Sequence, residues 1–170
     1  MPASPAKVAD SGRVAEALEL LRRGGSSGAH ERLLHCELEA LAGNRPKALE
    51  LANGILARDA PPAVAARALT VVGREAISAG RHAEGHAAFH RALGLASESS
   101  DPKLVALILG RQIETLLHFI GLEPASAFLG AFRRASNRAG DSESLHALHR
   151  LLAETEIGRA SCRERVCLAV

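Results

Sequence analysis

Eight histidines and three cysteines are the residues of this 170-residue chain with the most chemistry to offer. His82, His86 and His90 stand four residues apart, and His146 and His149 three apart. Two imidazoles one helical turn apart can share a zinc ion. A third at i+8 lies about 12 Å along a helix axis from the first, too far for one tetrahedral centre. Glu84 is the one acidic residue close by in sequence, so both sets read as polar helix faces, and a metal-binding helical protein is a minor reading. Cys36 falls inside helix-forming sequence and reads as a buried, inert thiol, because a nucleophilic cysteine needs an accessible, electropositive setting. Gly24-Gly25-Ser26-Ser27-Gly28 lacks the lysine of a phosphate-binding loop, and Gly-x-Ser-x-Gly does not occur. With no nucleophile, base and oxyanion donor to assemble, the expectation is a non-enzyme with no cofactor and no metal.

The elements that carry these residues must be helices. Ala and Leu contribute 33 and 25 residues, whereas Ile, Val and Thr together contribute 17, and there is no Trp, no Tyr and only four Phe. Ala and Leu lead the helix scale, and strands want β-branched and aromatic side chains, so the fold class is all-α. Lys and Arg number 21 against 19 Asp and Glu, a net charge of +2. That balance, without Trp or Tyr to stack on bases, argues against a nucleic-acid partner. The longest apolar run, Leu104 to Leu109, is far short of a membrane span, and the first residues lack the apolar core of a signal peptide. No membrane partner and a cytoplasmic location are expected.

Glycine and proline divide the chain. Gly43, Gly80 and Gly121 stand where helices should stop, and Pro46, Pro61-Pro62, Pro102 and Pro124 near where they should start. Asp101 and Asp141-Ser142 are suited to cap helix starts. The spacing predicts helices over 12–23, 29–42, 45–58, 62–79, 82–97, 102–120, 123–139 and 142–156, with residues 1–11 disordered. Connections of two to six residues make neighbouring helices antiparallel hairpins. Residues Glu156 to Val166 resemble the translation of a short-read sequencing adapter. Residues 157–170 are therefore expected to be an artefactual tail carrying Cys162 and Cys167, and the helical domain over 12–156 to be incomplete at its end.

The hairpin turns repeat. Gly43-Asn44-Arg45-Pro46-Lys47-Ala48, Gly80-Arg81-His82-Ala83-Glu84-Gly85 and Gly121-Leu122-Glu123-Pro124-Ala125-Ser126 each place glycine first and a small residue five positions later. Their spacings of 37 and 41 residues are those of a helix-turn-helix array. The unit from Val64 to Ala96 resembles a tetratricopeptide repeat: Leu69, Val72 and Gly73 match its first-helix positions, Gly80 its turn, and Gly85, Phe89, Ala92 and Leu93 its second helix. Leu69 stands where that family has Trp, and Ala76 and His82 where it has Tyr. The unit from Ala29 to Asp59 keeps Gly43, Ala48 and Leu56 but has Ala52 in place of Phe89. The unit from Leu104 to Gly140 keeps Gly121, with Gly130 and Arg133 at the packing sites and Phe128 and Phe132 flanking them.

The resemblance implies hairpins stacked as a right-handed α-solenoid, with Gly43, Ala48, Leu69, Gly73, Gly80, Gly85, Phe89, Ala92, Gly121 and Ser126 packing the repeats. It implies a concave groove for a protein or peptide partner, lined by Arg67, Thr70, Arg74 and Ile77 and, in the next unit, by Ile108, Arg111, Gln112, Thr115 and His118. Arg67, Arg74 and Arg111 can clamp a carboxylate there; solvated arginines, or pairing of Arg111 with Glu114 or Thr115, is the alternative. Repeats of this length are similar to the sensor arms of bacterial multidomain signalling proteins, which implies an N-terminal part of a larger regulator. A structural or self-association scaffold is the competing reading. Leu145, Leu148, Leu151 and Leu152 form an apolar stripe on the last helix, expected to be partly uncovered and to favour self-association.

Overall fold

The computed structural model describes residues 4–10, 12–24, 28–140, 142–147 and 149–153, and every regular element among them is a helix. These are α1 (Pro5–Asp10), α2 (Val14–Gly24), α3 (Ala29–Leu41), α4 (Arg45–Leu56), α5 (Pro62–Ser78), α6 (His82–Glu98), α7 (Pro102–Phe119) and α8 (Leu122–Ala139). Residues 142–147 and 149–153 are also helical. Where an expected helix end falls among the described residues, it is displaced by no more than two. Among these residues no helix is long and apolar enough to cross a membrane.

The described residues add to the sequence reading at two places. The sequence reads residues 1–11 as disordered, yet residues 5–10 form α1. Such a helix is too short to stand alone; it is held because Val8, 1 % exposed, packs with Ala17, Leu18 and Leu21 of α2 and Leu38 of α3. The sequence also reads 12–156 as one domain. The chain instead divides into two compact units, residues 1–95 and 96–170, with the change falling inside α6. The tail at 157–170 lies outside the described residues.

Local chemistry sets the helix ends. At Gly43 (φ +81°) the glycine N–H donates to the Ala40 carbonyl at 3.2 Å and the next N–H, of Asn44, to Glu39 at 2.9 Å. At Gly80 (φ +78°) the same pair of bonds runs from Gly80 to Ile77 and from Arg81 to Ala76, both 2.9 Å. This closes the orphan carbonyls of α3 and α5 through a left-handed residue. Gly121 departs from the pattern. Its φ of 136° and ψ of −176° lie in a region open essentially to glycine alone, and its N–H reaches back to Leu116 at 2.8 Å. Asp101 caps α7, its Oδ1 accepting from the N–H groups of Lys103 and Leu104 at 2.9 and 3.3 Å.

In the first unit each helix from α1 to α5 packs on the next, and α3 also touches α5, the first helix of the following hairpin. One apolar cluster joins Leu33, Cys36, Ala48, Ala52, Ile55, Val64 and Ala68. Leu69, Phe89 and Ala92 are fully or almost fully buried. The α5–α6 crossing is close: a Cβ at Gly73 would stand 2.8 Å from Phe89 Cδ2, and one at Gly85 would stand 2.9 Å from the Gly73 carbonyl and run into the Ile77 side chain. The small residues expected at Gly85 and Ala48 are therefore where helices meet.

In the second unit α7 packs on α8, burying Leu116, Ala125, Phe132 and Ala135. The third turn motif is out of register. Ala125 is buried, whereas Ser126 is only half-buried and donates its hydroxyl to the Glu123 carbonyl at 2.8 Å. Phe132 is the buried aromatic, and Gly130 is exposed. The apolar stripe is better covered than expected: Leu151 is 0 % exposed and Leu145 and Leu152 are half-buried, while Leu148 lies outside the described residues.

Two glycine substitutions separate propensity from packing. Gly54→Ala, with nothing within 4 Å of the new Cβ, should stabilise by about 0.5–1 kcal/mol. Gly73→Ala drives a methyl into Phe89 and should destabilise by about 1–2 kcal/mol net. Urea midpoints of the two variants, moving in opposite directions, are the check.

Candidate functional site

The α3–α5 contact creates a surface in the first unit. Leu34, Glu37 and Leu41 recur at i, i+3 and i+7 on α3, and Arg67 and Arg74 at i and i+7 on α5, so each set lies along one helix stripe. Arg67 ties the two stripes together: its Nε and Nη2 donate to Glu37 Oε1 and Oε2 at 2.9 and 2.7 Å, a bidentate pair with both side chains half-exposed. Arg74 is half-buried one turn beyond Thr70. Leu41 is 59 % exposed. Thr70 and Ile77 are not surface residues. The Thr70 hydroxyl turns inward to the Arg67 carbonyl at 2.7 Å, and Ile77 is sealed against Gly85 in the α5–α6 crossing.

In the second unit, Arg111 is exposed and donates to Glu114 at 3.2 Å, and Arg150 bonds the other oxygen of the same carboxylate. Ile108, Gln112 and Thr115 are buried, so they do not line an open groove in this unit; Thr115 donates to the Arg111 carbonyl at 2.7 Å, and Gln112 Oε1 has no hydrogen-bond partner among the described residues. His118 is exposed and meets the Phe119 ring edge-on at 4.6 Å. Arg67 and Arg111 each already hold a carboxylate of their own chain, which departs from a three-arginine clamp left open for a ligand. A cleft of about 320 Å³ runs beside α7, lined on that helix by Lys103, Ala106, Leu107, Gly110, Arg111 and Glu114, facing Phe132 of α8 and Glu143, Ser144, His146, Ala147, Arg150 and Leu151.

The sequence does not reveal one heavily bonded side chain of the first unit. Glu39, 1 % exposed, receives Arg22 Nη2 at 2.9 Å and His35 Nε2 at 3.2 Å on one oxygen and Asn44 Nδ2 at 2.9 Å on the other. It joins α2, α3 and the α3–α4 turn. Burial pushes its carboxyl up, but the hydrogen bonds from Arg22, Asn44 and His35, with the Arg22 charge, outweigh burial and hold it below the usual carboxylate range. Glu75, also buried, takes Arg45 at 3.3 Å across the next hairpin boundary. A glutamate in helical sequence ordinarily reads as solvated, and no shared spacing signals otherwise: Glu39 stands four residues before Gly43 and Glu75 five before Gly80.

No protein-family model, curated protein or solved structure matches this chain. Function must therefore be argued from the side chains. Cys36 is fully buried with its Sγ–H donating to the Ala48 carbonyl at 3.3 Å, and burial, then the Glu37 charge, pushes its thiol up to about 12. It is a packing residue. His82 and His90 are exposed and His86 half-buried on α6; His146 and His149 are exposed. Among the described residues no three His, Cys, Asp or Glu side chains are grouped to hold a metal ion.

Because the folded-state pKa of Glu39 is depressed, the stability it contributes is present above its unfolded value and is lost as pH falls through the folded one. Glu39→Gln should lower stability near pH 7 by about 1–2 kcal/mol. The gap between variant and wild type should close as pH drops below the ordinary carboxylate range, measured by urea unfolding at a series of pH values.

Proposed function

We propose that this chain is a protein–protein interaction module whose α3–α5 face receives a peptide or a partner domain. The observation that supports the reading is the contact between α3 and α5, first helices of successive hairpins, which sets the exposed Leu41 beside a surface carrying the Glu37–Arg67 pair and Arg74. An exposed leucine with charged side chains near it offers a partner an apolar anchor and a polar rim. Within the first unit, α3–α4 and α5–α6 are then two tetratricopeptide-like repeats of a right-handed solenoid; the α7–α8 hairpin of the second unit, taken by itself, is a divergent repeat of the same kind. The reading carries no bond chemistry: a rigid face is displayed, and partner choice follows from charge and shape. A role as the interaction arm of a bacterial cytoplasmic signalling regulator fits the same reading.

Selection of displayed 15-residue peptides on the intact chain tests it. Peptides with an apolar anchor and acidic neighbours are expected, with binding lost by at least about tenfold in a Leu41→Asp, Arg74→Glu double variant of unchanged circular dichroism. A selection that yields no binders, or binders indifferent to that variant, overturns the assignment.

A further inference from the structure

We propose that His86 and His90 on α6 form half of a zinc site, and that a second copy of this chain supplies the other half. The inference does not rest on the α3–α5 face. Gly85, Phe89 and Ala92 take the buried side of α6. The opposite side carries Ala83, His86, Ala87, His90 and Gly94, which recur at three- and four-residue spacings. His86 is half-buried and the other four are exposed. Among the described residues no hydrogen bond or ion pair holds either imidazole. Side chains one turn apart start about 5–6 Å from each other, so both rings can reach one ion at about 2.0–2.1 Å. Two nitrogens leave a tetrahedral ion half filled. Among the described residues of one chain no third His, Cys, Asp or Glu joins them. His82 is the first residue of α6, where the positive end of the helix dipole opposes a cation.

A second copy completes the ligand set. Two α6 helices packed antiparallel about a two-fold axis between residues 86 and 90 set His86 of each copy opposite His90 of the other. Four imidazoles then surround one point, and a two-fold axis is the commonest symmetry of closed oligomers. The helices must approach to about 8–10 Å. The stripe permits this, because its other residues are alanine or glycine and a Cβ at Gly94 would have nothing within 4 Å. His82 falls opposite Gly94 of the second copy, about 9 Å along the axis from the centre and beyond reach of the ion. The exposed Glu84 and Arg91 lie on another stripe of α6, and Glu84 already pairs with Arg81 at 3.0 Å. An all-imidazole, tetrahedral set suits zinc, whereas magnesium and calcium want oxygen ligands. The site is at the surface, where water and salt screen the charge of the ion.

The test is sedimentation velocity of the full chain titrated with zinc sulfate, with zinc binding followed by isothermal titration. The sedimenting mass should double with zinc, return on addition of a chelator, and stay unchanged with magnesium. His86→Ala or His90→Ala should abolish the doubling and weaken zinc binding at least about tenfold. Zinc bound by the wild type in excess of the His90→Ala variant should amount to one ion per two chains. Ala87→Arg keeps both ligands but blocks the second copy, and should abolish the doubling while helical circular dichroism is retained. His82→Ala, and His146→Ala with His149→Ala, should leave the doubling intact. No doubling with zinc, an excess of one zinc per chain, doubling that survives in a folded His90→Ala or Ala87→Arg variant, or doubling lost in a folded His82→Ala variant would each overturn the proposal.

Discussion

The first unit depends on one close contact between backbones. At the α5–α6 crossing neither Gly73 nor Gly85 has a side chain, so the Phe89 ring lies over Gly73 and Ile77 lies over Gly85. Protein interiors tolerate almost no void and almost no overlap. A crossing this tight fixes how far one helix can slide along the other, and with it which residues of α5 are left facing outward. Ile77 goes inward because it fills the space at Gly85, while Arg67 reaches across to Glu37 of α3. The second unit uses a looser form of the pair. Gly110 and Phe132 also meet, at a distance a Cβ would tolerate. That contact lies eleven residues before its turn glycine, against seven for Gly73.

Between hairpins, ionic ties accompany the apolar clusters. Arg22 to Glu39, Arg45 to Glu75 and Arg67 to Glu37 each bridge helices of adjoining hairpins. In the first two the carboxylate is buried and the guanidinium half-exposed. That division suits the two groups. Arginine keeps its charge whatever its surroundings and can lay its stem along apolar surface while its head stays in water. The carboxylate gains several donors in return for losing solvent. Such pairs add little net energy over an apolar contact, but they resist any arrangement that leaves the acid unpaired. For helices whose buried faces are mostly alanine and leucine, and so offer few distinctive shapes, this is a source of registration.

Much of this was legible in the chain itself, and the failures have physical causes. The turn glycines Gly43 and Gly80, the cap at Asp101 and the packing glycines Gly73 and Gly85 all act through local backbone geometry, which residue type reports directly. The third turn misled because Gly121 uses a different backbone region from the other two, shifting the burial of the following helix from Ser126 to Ala125. α1 was missed because its only strong signal is Val8, whose burial depends on Leu38, thirty residues away. The groove residues Thr70, Ile77, Gln112 and Thr115 were assigned from a family pattern, and packing turned them inward. Glu39 was illegible because its decisive partner, Arg22, lies on another helix, and no periodicity connects the two.

The position of Cys36 gives the α3–α4 hairpin a chemical clock. Its thiol is held neutral and hydrogen-bonded to the carbonyl of Ala48, so a thiol reagent must wait until the two helices part. The alkylation rate at that sulfur therefore reports how often this hairpin breathes, independently of the rest of the chain. Compared with the unfolding rate of the whole chain, it would show whether the first unit opens piecemeal or all at once.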